Sequence, residues 1–268
     1  MNLINDTITS RQNPKIKNVL SLHKYSERIR QNIILIEGIK EIEKAIKADY
    51  KFETVFFNPG LIVPEKITKL FGLQLPKQLI EVNEHVFNKI SYRENSGGLI
   101  VLAKAKSYEI QSLTLSENPL LLVIEGVEKP GNLGAIYRTA EAAGIDGIIL
   151  CDSRTDLYNP NAIRASLGCV FTVPTTITTS TDAIEWLKDR GIRIFCTYLK
   201  AAVPYHSIDF TKPSAIVMGT ETTGISKVWL DTSDTNIIIP MQGTADSMNV
   251  SASAAVIIFE ACRQRNYL

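Results

Sequence analysis

Three segments of this chain set glycine and polar residues directly after strand-like apolar runs, where a core has no use for them. The first is Glu125-Gly-Val-Glu-Lys-Pro-Gly-Asn-Leu-Gly-Ala-Ile-Tyr-Arg138. The second is Ile216-Val-Met-Gly-Thr-Glu-Thr-Thr-Gly-Ile-Ser226, and the third is Ile237-Ile-Ile-Pro-Met-Gln-Gly-Thr-Ala-Asp-Ser-Met-Asn-Val-Ser251. Nucleotide binding is the first chemistry to test, because glycine lets a backbone come close to a phosphate or a base. The dinucleotide fingerprint GxGxxG is absent: Gly131-Asn-Leu-Gly134 lacks its first glycine. The phosphate-loop pattern GxxxxGK[ST] almost occurs at Gly219–Ser226, but Ile225 stands where lysine must reach the phosphates and Glu221 would repel them. A nicotinamide enzyme and a P-loop NTPase are both excluded on these grounds.

Taken singly, the polar residues have plain explanations. Asn132 suits a helix cap and Arg138 a surface position six residues further on, a spacing that places the two near one face close to the helix start. Glu221 suits a solvated turn, and Ser247 and Asn249 suit the cap of the last helix. The three segments occurring together in one chain do not fit those explanations.

The elements that must position them form two halves. The first opens with a polar, basic stretch. It continues with strand-like Ile33–Glu37, a helical pattern over 38–48, strand-like Phe52–Phe57, a helix near Pro64–Phe71, strand-like Gln78–Val82, a helix over Glu84–Ile90 and strand-like 99–103. Alternation of this kind indicates a small α/β domain, placed at 1–106, followed by a polar linker over 107–118. The second half, 119–268, restarts the alternation. Strands are expected at 120–125, 147–151, 170–173, 192–198, 215–218 and 236–239, with helices at 132–143, 161–167, 182–189 and 249–264. A parallel sheet covered on both faces is the economical arrangement, with ligands at the carboxyl ends of its strands.

In order and spacing, the three segments resemble the signature motifs of the SpoU (TrmH-type) RNA 2′-O-ribose methyltransferases of the SPOUT superfamily. The first motif corresponds to Asn132, Gly134 and Arg138, the second to Gly219, Glu221 and Gly224, and the third to Pro240, Met241, Ser247, Asn249 and Ser251. Met248 stands where the family usually has leucine, a volume-conserving exchange. The first half is also similar to the L30e-like substrate-binding domain of many members, through Ser10-Arg-Gln-Asn-Pro-Lys15 and Glu37-Gly38.

This resemblance implies a parallel-sheet SPOUT domain with a C-terminal trefoil knot, although knots are rare exceptions among folds. It implies S-adenosylmethionine as cofactor, held around Thr197, Tyr198, Gly219, Ile239, Met241 and Met248, with Gly219 and Gly243 allowing close approach. The implied catalytic set is Arg138, Asn132, Glu221, Ser247 and Asn249. Arg138 would grip a phosphate beside the reactive 2′-hydroxyl; a guanidinium rarely gives up its proton, so a phosphate-assisted role is favoured over that of general base. The family resemblance further implies a homodimer completing the active arginine, RNA as partner (ribosomal favoured over transfer RNA), and neither metal nor membrane. A non-catalytic RNA-binding or ribosome-assembly protein on the same fold is the alternative, and intact motif residues argue against it.

Bulk properties agree. The chain has 268 residues, 45% of them apolar and 21% charged, enough for a packed core. Its longest apolar run, Pro119–Ile124, is far short of the ~18 residues needed to cross a bilayer, and the N-terminus has no signal-peptide pattern. A cytoplasmic location is therefore expected, with Cys151, Cys169, Cys196 and Cys262 as reduced core thiols. Net charge is only +1, but Arg11, Lys15, Lys17, Lys24, Arg28 and Arg30 face Glu27 alone between residues 11 and 30. Six minus one gives a local +5, the one-sided distribution that phosphate binding needs, so these six are the candidate RNA-binding residues.

Overall fold

The structure, a computed structural model, describes residues 4–92, 97–106, 109–152, 156–200, 202–220 and 222–265. In chain order the elements are β1 (Ile4–Ile8), α1 (Pro14–Ser21), α2 (Tyr25–Gln31), β2 (Ile33–Glu37), α3 (Ile39–Lys47), β3 (Phe52–Phe57), α4 (Pro64–Phe71), β4 (Gln78–Val82), α5 (Glu84–Ile90) and β5 (Leu99–Lys104). They continue with β6 (Leu120–Glu125), α6 (Pro130–Ala143), β7 (Gly147–Cys151), α7 (Pro160–Ala165), α8 (Cys169–Thr172), β8 (Thr175–Thr178), α9 (Ser180–Asp189) and β9 (Arg193–Thr197). Last come β10 (Val203–Pro204), β11 (Ser214–Met218), α10 (Lys227–Thr232), β12 (Thr235–Ile238) and α11 (Val250–Gln264).

These elements form two compact units. One comprises Met1–Ser107 with Leu157–Thr172, the other Tyr108–Asp156 with Val173–Leu268. The first unit is built on a mixed sheet of order β1-β4-β3-β5-β2, in which β5 runs antiparallel to both its neighbours. The second is built on a sheet of order β10-β12-β9-β11-β6-β7-β8, parallel throughout. Its β6, β7 and β11 are buried along their whole length, which is why they read as unbroken apolar runs rather than alternating ones.

Helix ends follow their local chemistry. Pro130 opens α6 where its missing N–H costs nothing, and Gly144 closes it in the left-handed region at φ 62°. Thr179 caps α9 by accepting from the Asp182 amide. At the far end of α11, the Gln264 side chain accepts from the Phe210 amide and donates to the Ile208 carbonyl. The Arg265 guanidinium donates to the carbonyls of Asn118, Pro119, Phe210 and Lys212.

Three stretches differ from the sequence expectation. Residues 170–173, expected as a strand, lie mostly in the helical turn α8, and the strand β8 starts after Pro174. A short apolar run carries no period by which helix and strand can be told apart, and here tertiary packing decides. Gly168, at φ +80°, brings α8 against α3 so closely that a Cβ would meet the Glu41 Cα at 2.9 Å. In the same unit Tyr50, Tyr158 and Phe171 form an aromatic cluster in which the two tyrosine hydroxyls are hydrogen-bonded at 2.9 Å. The stretch 107–118, expected as a linker, contributes Ile110 to the core of the second unit, with Leu113 and Leu115 against it. Helix α10 was not legible in the sequence either; its buried Trp229 joins the same core.

No helix among the described residues is long and apolar enough to cross a membrane. All four cysteines are free and buried. Burial pushes the Cys151 and Cys262 thiols upward and raises Cys196 to about 12. The thiolate is the reactive form, so the native protein at pH 8 should leave Ellman's reagent unreacted until denaturant is added, when four thiols per chain should appear. Rapid native-state labelling at Cys151 or Cys196 would contradict this core.

Candidate active site

In a parallel sheet every strand points its carboxyl end to one edge. The adjacent strands β12, β9, β11 and β6 therefore release the segments 239–249, 198–202, 219–226 and 126–129 along a single edge. All three segments singled out in the sequence leave from this edge.

The loop after β11 is closed on itself. Thr220 and Gly224 exchange backbone hydrogen bonds of 3.0 and 3.2 Å, and the Thr220 hydroxyl accepts from the Thr223 amide. Gly219 sits so tightly inside the turn that a Cβ would lie 2.4 Å from the Gly224 carbonyl carbon and oxygen. The glycine is thus required by the chain's own backbone. Gly243 differs, since nothing lies within 4 Å of where its Cβ would be. Glu221 lies outside the described residues.

Beneath this loop lies a polar network, buried at Glu125, Ser180 and Trp229 and open to solvent at Asp152, that the sequence pattern did not single out. Glu125, 8% exposed at the end of β6, accepts from the Ser226 amide at 2.8 Å, pinning the base of the loop. The Ser180 hydroxyl lies 2.6 Å from Asp152 Oδ2 and 3.2 Å from Glu125 Oε1, and accepts from Trp229 Nε1 at 2.9 Å. A hydroxyl has one proton, so the shorter contact to Asp152 takes most of it. The available signal was an acidic residue ending the apolar run 120–124; its partners are 55 and 101 residues away and leave no local trace.

The third loop meets the first. Asn249 caps α11 by accepting from the Ser251 amide at 2.9 Å, while its Nδ2 donates to Asn132 Oδ1 at 3.1 Å. One asparagine thus starts the last helix and ties it to the first turn of α6. Ser247 and Met248 are exposed nearby in sequence, and Ile239 and Met241 are half-buried. Thr197 is half-buried, its hydroxyl donating to the Val217 carbonyl, and the Tyr198 amide donates to Ile237.

Arg138 does not join this cluster within one chain. Six residues along a helix turn through about 600°, leaving Arg138 about 120° around the axis from Asn132 and about 9 Å further along it. The expected shared face is therefore not formed: Asn132 faces the start of α11, and Arg138 is exposed with no partner among the described residues.

In the first unit, Arg11, Lys17, Lys24 and Arg30 are exposed and Lys15 is half-buried. Arg11 Nε donates to the His85 carbonyl, Lys15 pairs with Asp6 and Arg30 with Glu27. Arg28 departs from the expectation. It is 4% exposed, and its Nη1 donates to the Leu22 carbonyl at 2.6 Å, so it braces the fold rather than presenting charge to a ligand. Among the described residues no group of three or more His, Cys, Asp or Glu could hold a metal ion.

Comparison with known proteins places this geometry. Residues 119–259 match the SpoU rRNA methylase family. The chain belongs to that family. Residues 13–101 match the MRM3-like substrate-binding domain. Among SpoU relatives, the 23S rRNA (guanosine(2553)-2′-O)-methyltransferase of Bacillus subtilis is 27% identical over 94% of this chain and 97% of its own length. A 23S rRNA (guanosine-2′-O-)-methyltransferase of Ralstonia nicotianae is 34% identical over 70% of this chain and 78% of its own. Of solved structures, that of an RNA 2′-O ribose methyltransferase superposes with a TM-score of 0.82 at 39% identity, covering 97% of this chain and 99% of that one. The AdoMet-bound rRNA methyltransferase of Sinorhizobium meliloti superposes with a TM-score of 0.87 at 29% identity, covering 96% and 97%.

The two glycines of the SpoU loops should separate cleanly in denaturant titrations. Gly219→Ala must force the 219–224 turn open and should cost roughly 1–3 kcal/mol, whereas Gly243→Ala should stay within about 0.5 kcal/mol of the parent. Equal stabilities would show that the turn yields.

Proposed function

We propose that this chain transfers a methyl group from S-adenosylmethionine to a ribose 2′-hydroxyl of ribosomal RNA. The observation that carries the reading is the Asn132–Asn249 hydrogen bond, which joins the first and third motif loops on the edge that the second also occupies. The 2′-O-methylation of 23S rRNA for which these relatives are named supports the substrate class.

The residues at this edge fit the cofactor. Leu199 and Met248 are exposed, and Ile239 and Met241 half-buried, in segments that leave the same sheet edge as Gly219; apolar walls with a few backbone groups suit an adenosine and a thioether chain. When bound, the cofactor supplies a methyl group on a cationic sulfonium, an electrophile already activated. The chain's own residues then have to align the ribose and relieve its hydroxyl of a proton, and alignment by itself is worth roughly 7–11 kcal/mol. Arg138 holds the phosphate next to the reactive ribose with its fork, so that a phosphate oxygen can take the proton from the 2′-oxygen. Asn132 and Asn249 hold the loop and orient the ribose, with Ser247 on the substrate side; Glu221 is assigned to orienting Arg138 or the ribose.

A homodimer completes this site in the proposed reading. Arg138 stands apart from Asn132 in its own chain, and α11 carries a partly open apolar stripe at i, i+3, i+4 and i+7, with Ala252, Ala255 and Val256 half-buried and Phe259 50% exposed. The proposal also includes the trefoil knot. It is supported by the return of α11 from the β12 side of the sheet to α6, with Gln264 and Arg265 gripping the 208–212 segment that leads from β9 to β11. The first unit is assigned as an L30e-like RNA-binding domain using Arg11, Lys15, Lys17, Lys24 and Arg30, without Arg28. A cytoplasmic location and a reaction that needs no metal go with the assignment.

Labelled methyl from S-adenosylmethionine should enter unmodified ribosomal RNA and survive alkali as a 2′-O-methylated dinucleotide; absence of transfer with the cofactor bound would refute the assignment. Arg138→Ala should lower turnover at least about a hundredfold while leaving cofactor affinity intact. If the site spans two copies, Arg138→Ala and Asn249→Ala should each be inactive alone. Refolded together as a statistical mixture of dimers, they should recover about a quarter of parental activity. No recovery would place Arg138 in the site of its own chain.

A further inference from the structure

Outside the motifs, the first unit sets an exposed tyrosine, its backbone firmly held, beside a half-buried histidine. Tyr92, just after α5, is 54% exposed. Its position is set from below by Glu37, 6% exposed at the end of β2, whose Oε1 accepts from the Ser91 hydroxyl at 2.6 Å and whose Oε2 accepts from the Tyr92 amide at 3.0 Å. Both oxygens of a buried carboxylate thus clamp two consecutive residues. The His23 ring lies beside Tyr92 with centroids 6.1 Å apart and planes tilted by 31°. Burial lowers the His23 pKa, so its ring is neutral at neutral pH. Lys24 and Tyr25, next in the chain, are both exposed.

We infer that Tyr92, backed by His23, is a stacking platform for one unpaired base of the RNA substrate, with Lys24 meeting the neighbouring phosphate; the inference rests on the RNA-directed reading above. With its backbone already fixed, the exposed ring gives up only its own side-chain rotations when a flat ligand covers it. Every nucleobase presents such a face once it leaves the helical stack, and a base in a bulge or loop carries its own phosphate to an adjacent cation. A fully paired helix keeps its bases stacked and has nothing to offer the ring.

The test uses the full chain and a short RNA hairpin carrying one bulged 2-aminopurine, with a fully paired hairpin of equal length as control. The wild type should quench the bulged probe and bind it more tightly than the paired one. Tyr92→Ala keeps the amide that Glu37 holds; it should lose the quenching and weaken binding about 5- to 100-fold. Tyr92→Phe keeps the ring and should behave as wild type. Wild-type affinity and quenching in Tyr92→Ala would overturn the platform, as would a Tyr92→Phe variant as weak as Tyr92→Ala, or a wild type that does not prefer the bulge. Methyl transfer to ribosomal RNA, measured alongside, separates the two readings. Transfer with normal RNA binding by Tyr92→Ala removes the platform alone, and ring-dependent quenching without transfer removes the reaction alone.

Discussion

Parallel pairing in the second sheet is the constraint on which the active edge depends. A parallel ladder sends every connection back across the sheet, so the carboxyl ends of β12, β9, β11 and β6 share one edge whatever their order in the chain. Residues more than a hundred positions apart, such as Asn132 and Asn249, can then be brought within a hydrogen bond of each other. An antiparallel arrangement of the same strands would have split the three motif loops between two opposite edges.

The edge is held from beneath by a polar network that is buried at Glu125 and Ser180 and reaches solvent at Asp152. Glu125 and Asp152 share the hydroxyl of Ser180, which also receives the Trp229 indole N–H, and Glu125 further takes the Ser226 amide. Removing a carboxylate from water is costly unless its lone pairs are filled, so these donors are what make Glu125 tolerable there. In return the carboxylate fixes where the loop after β11 begins. The turn itself is closed by Thr220 and Gly224 around a glycine with no room for a side chain. Rigidity of this kind suits a reaction whose main demand on the protein is alignment.

The first unit treats its charges unevenly. Of six basic residues close together in sequence, Arg28 is turned inward to brace the Leu22 carbonyl, while Arg11, Lys17, Lys24 and Arg30 stay in water. Charge counted along a sequence therefore overstates the charge presented to a ligand. The exposed cations share the unit with uncovered rings at Tyr25 and Tyr92.

The motif residues, the parallel sheet and most helix limits were legible in the sequence, because each is written locally. Unbroken apolar runs mark strands buried on both faces, and Pro130, Gly144 and Asn249 mark helix ends by their own backbone chemistry. Two things were decided only in three dimensions. Residues 170–173 became mostly helical because Gly168 lets α8 close onto α3. Glu125 acquired a structural role from partners that no window of sequence contains. The separation of Arg138 from the face of Asn132 is instead local, since six residues turn a helix through well over a full revolution, and the spacing already contained it. Periodicity and capping act within a turn or two, so they can be read from the chain, whereas burial and long-range hydrogen bonding exist only once distant segments have met.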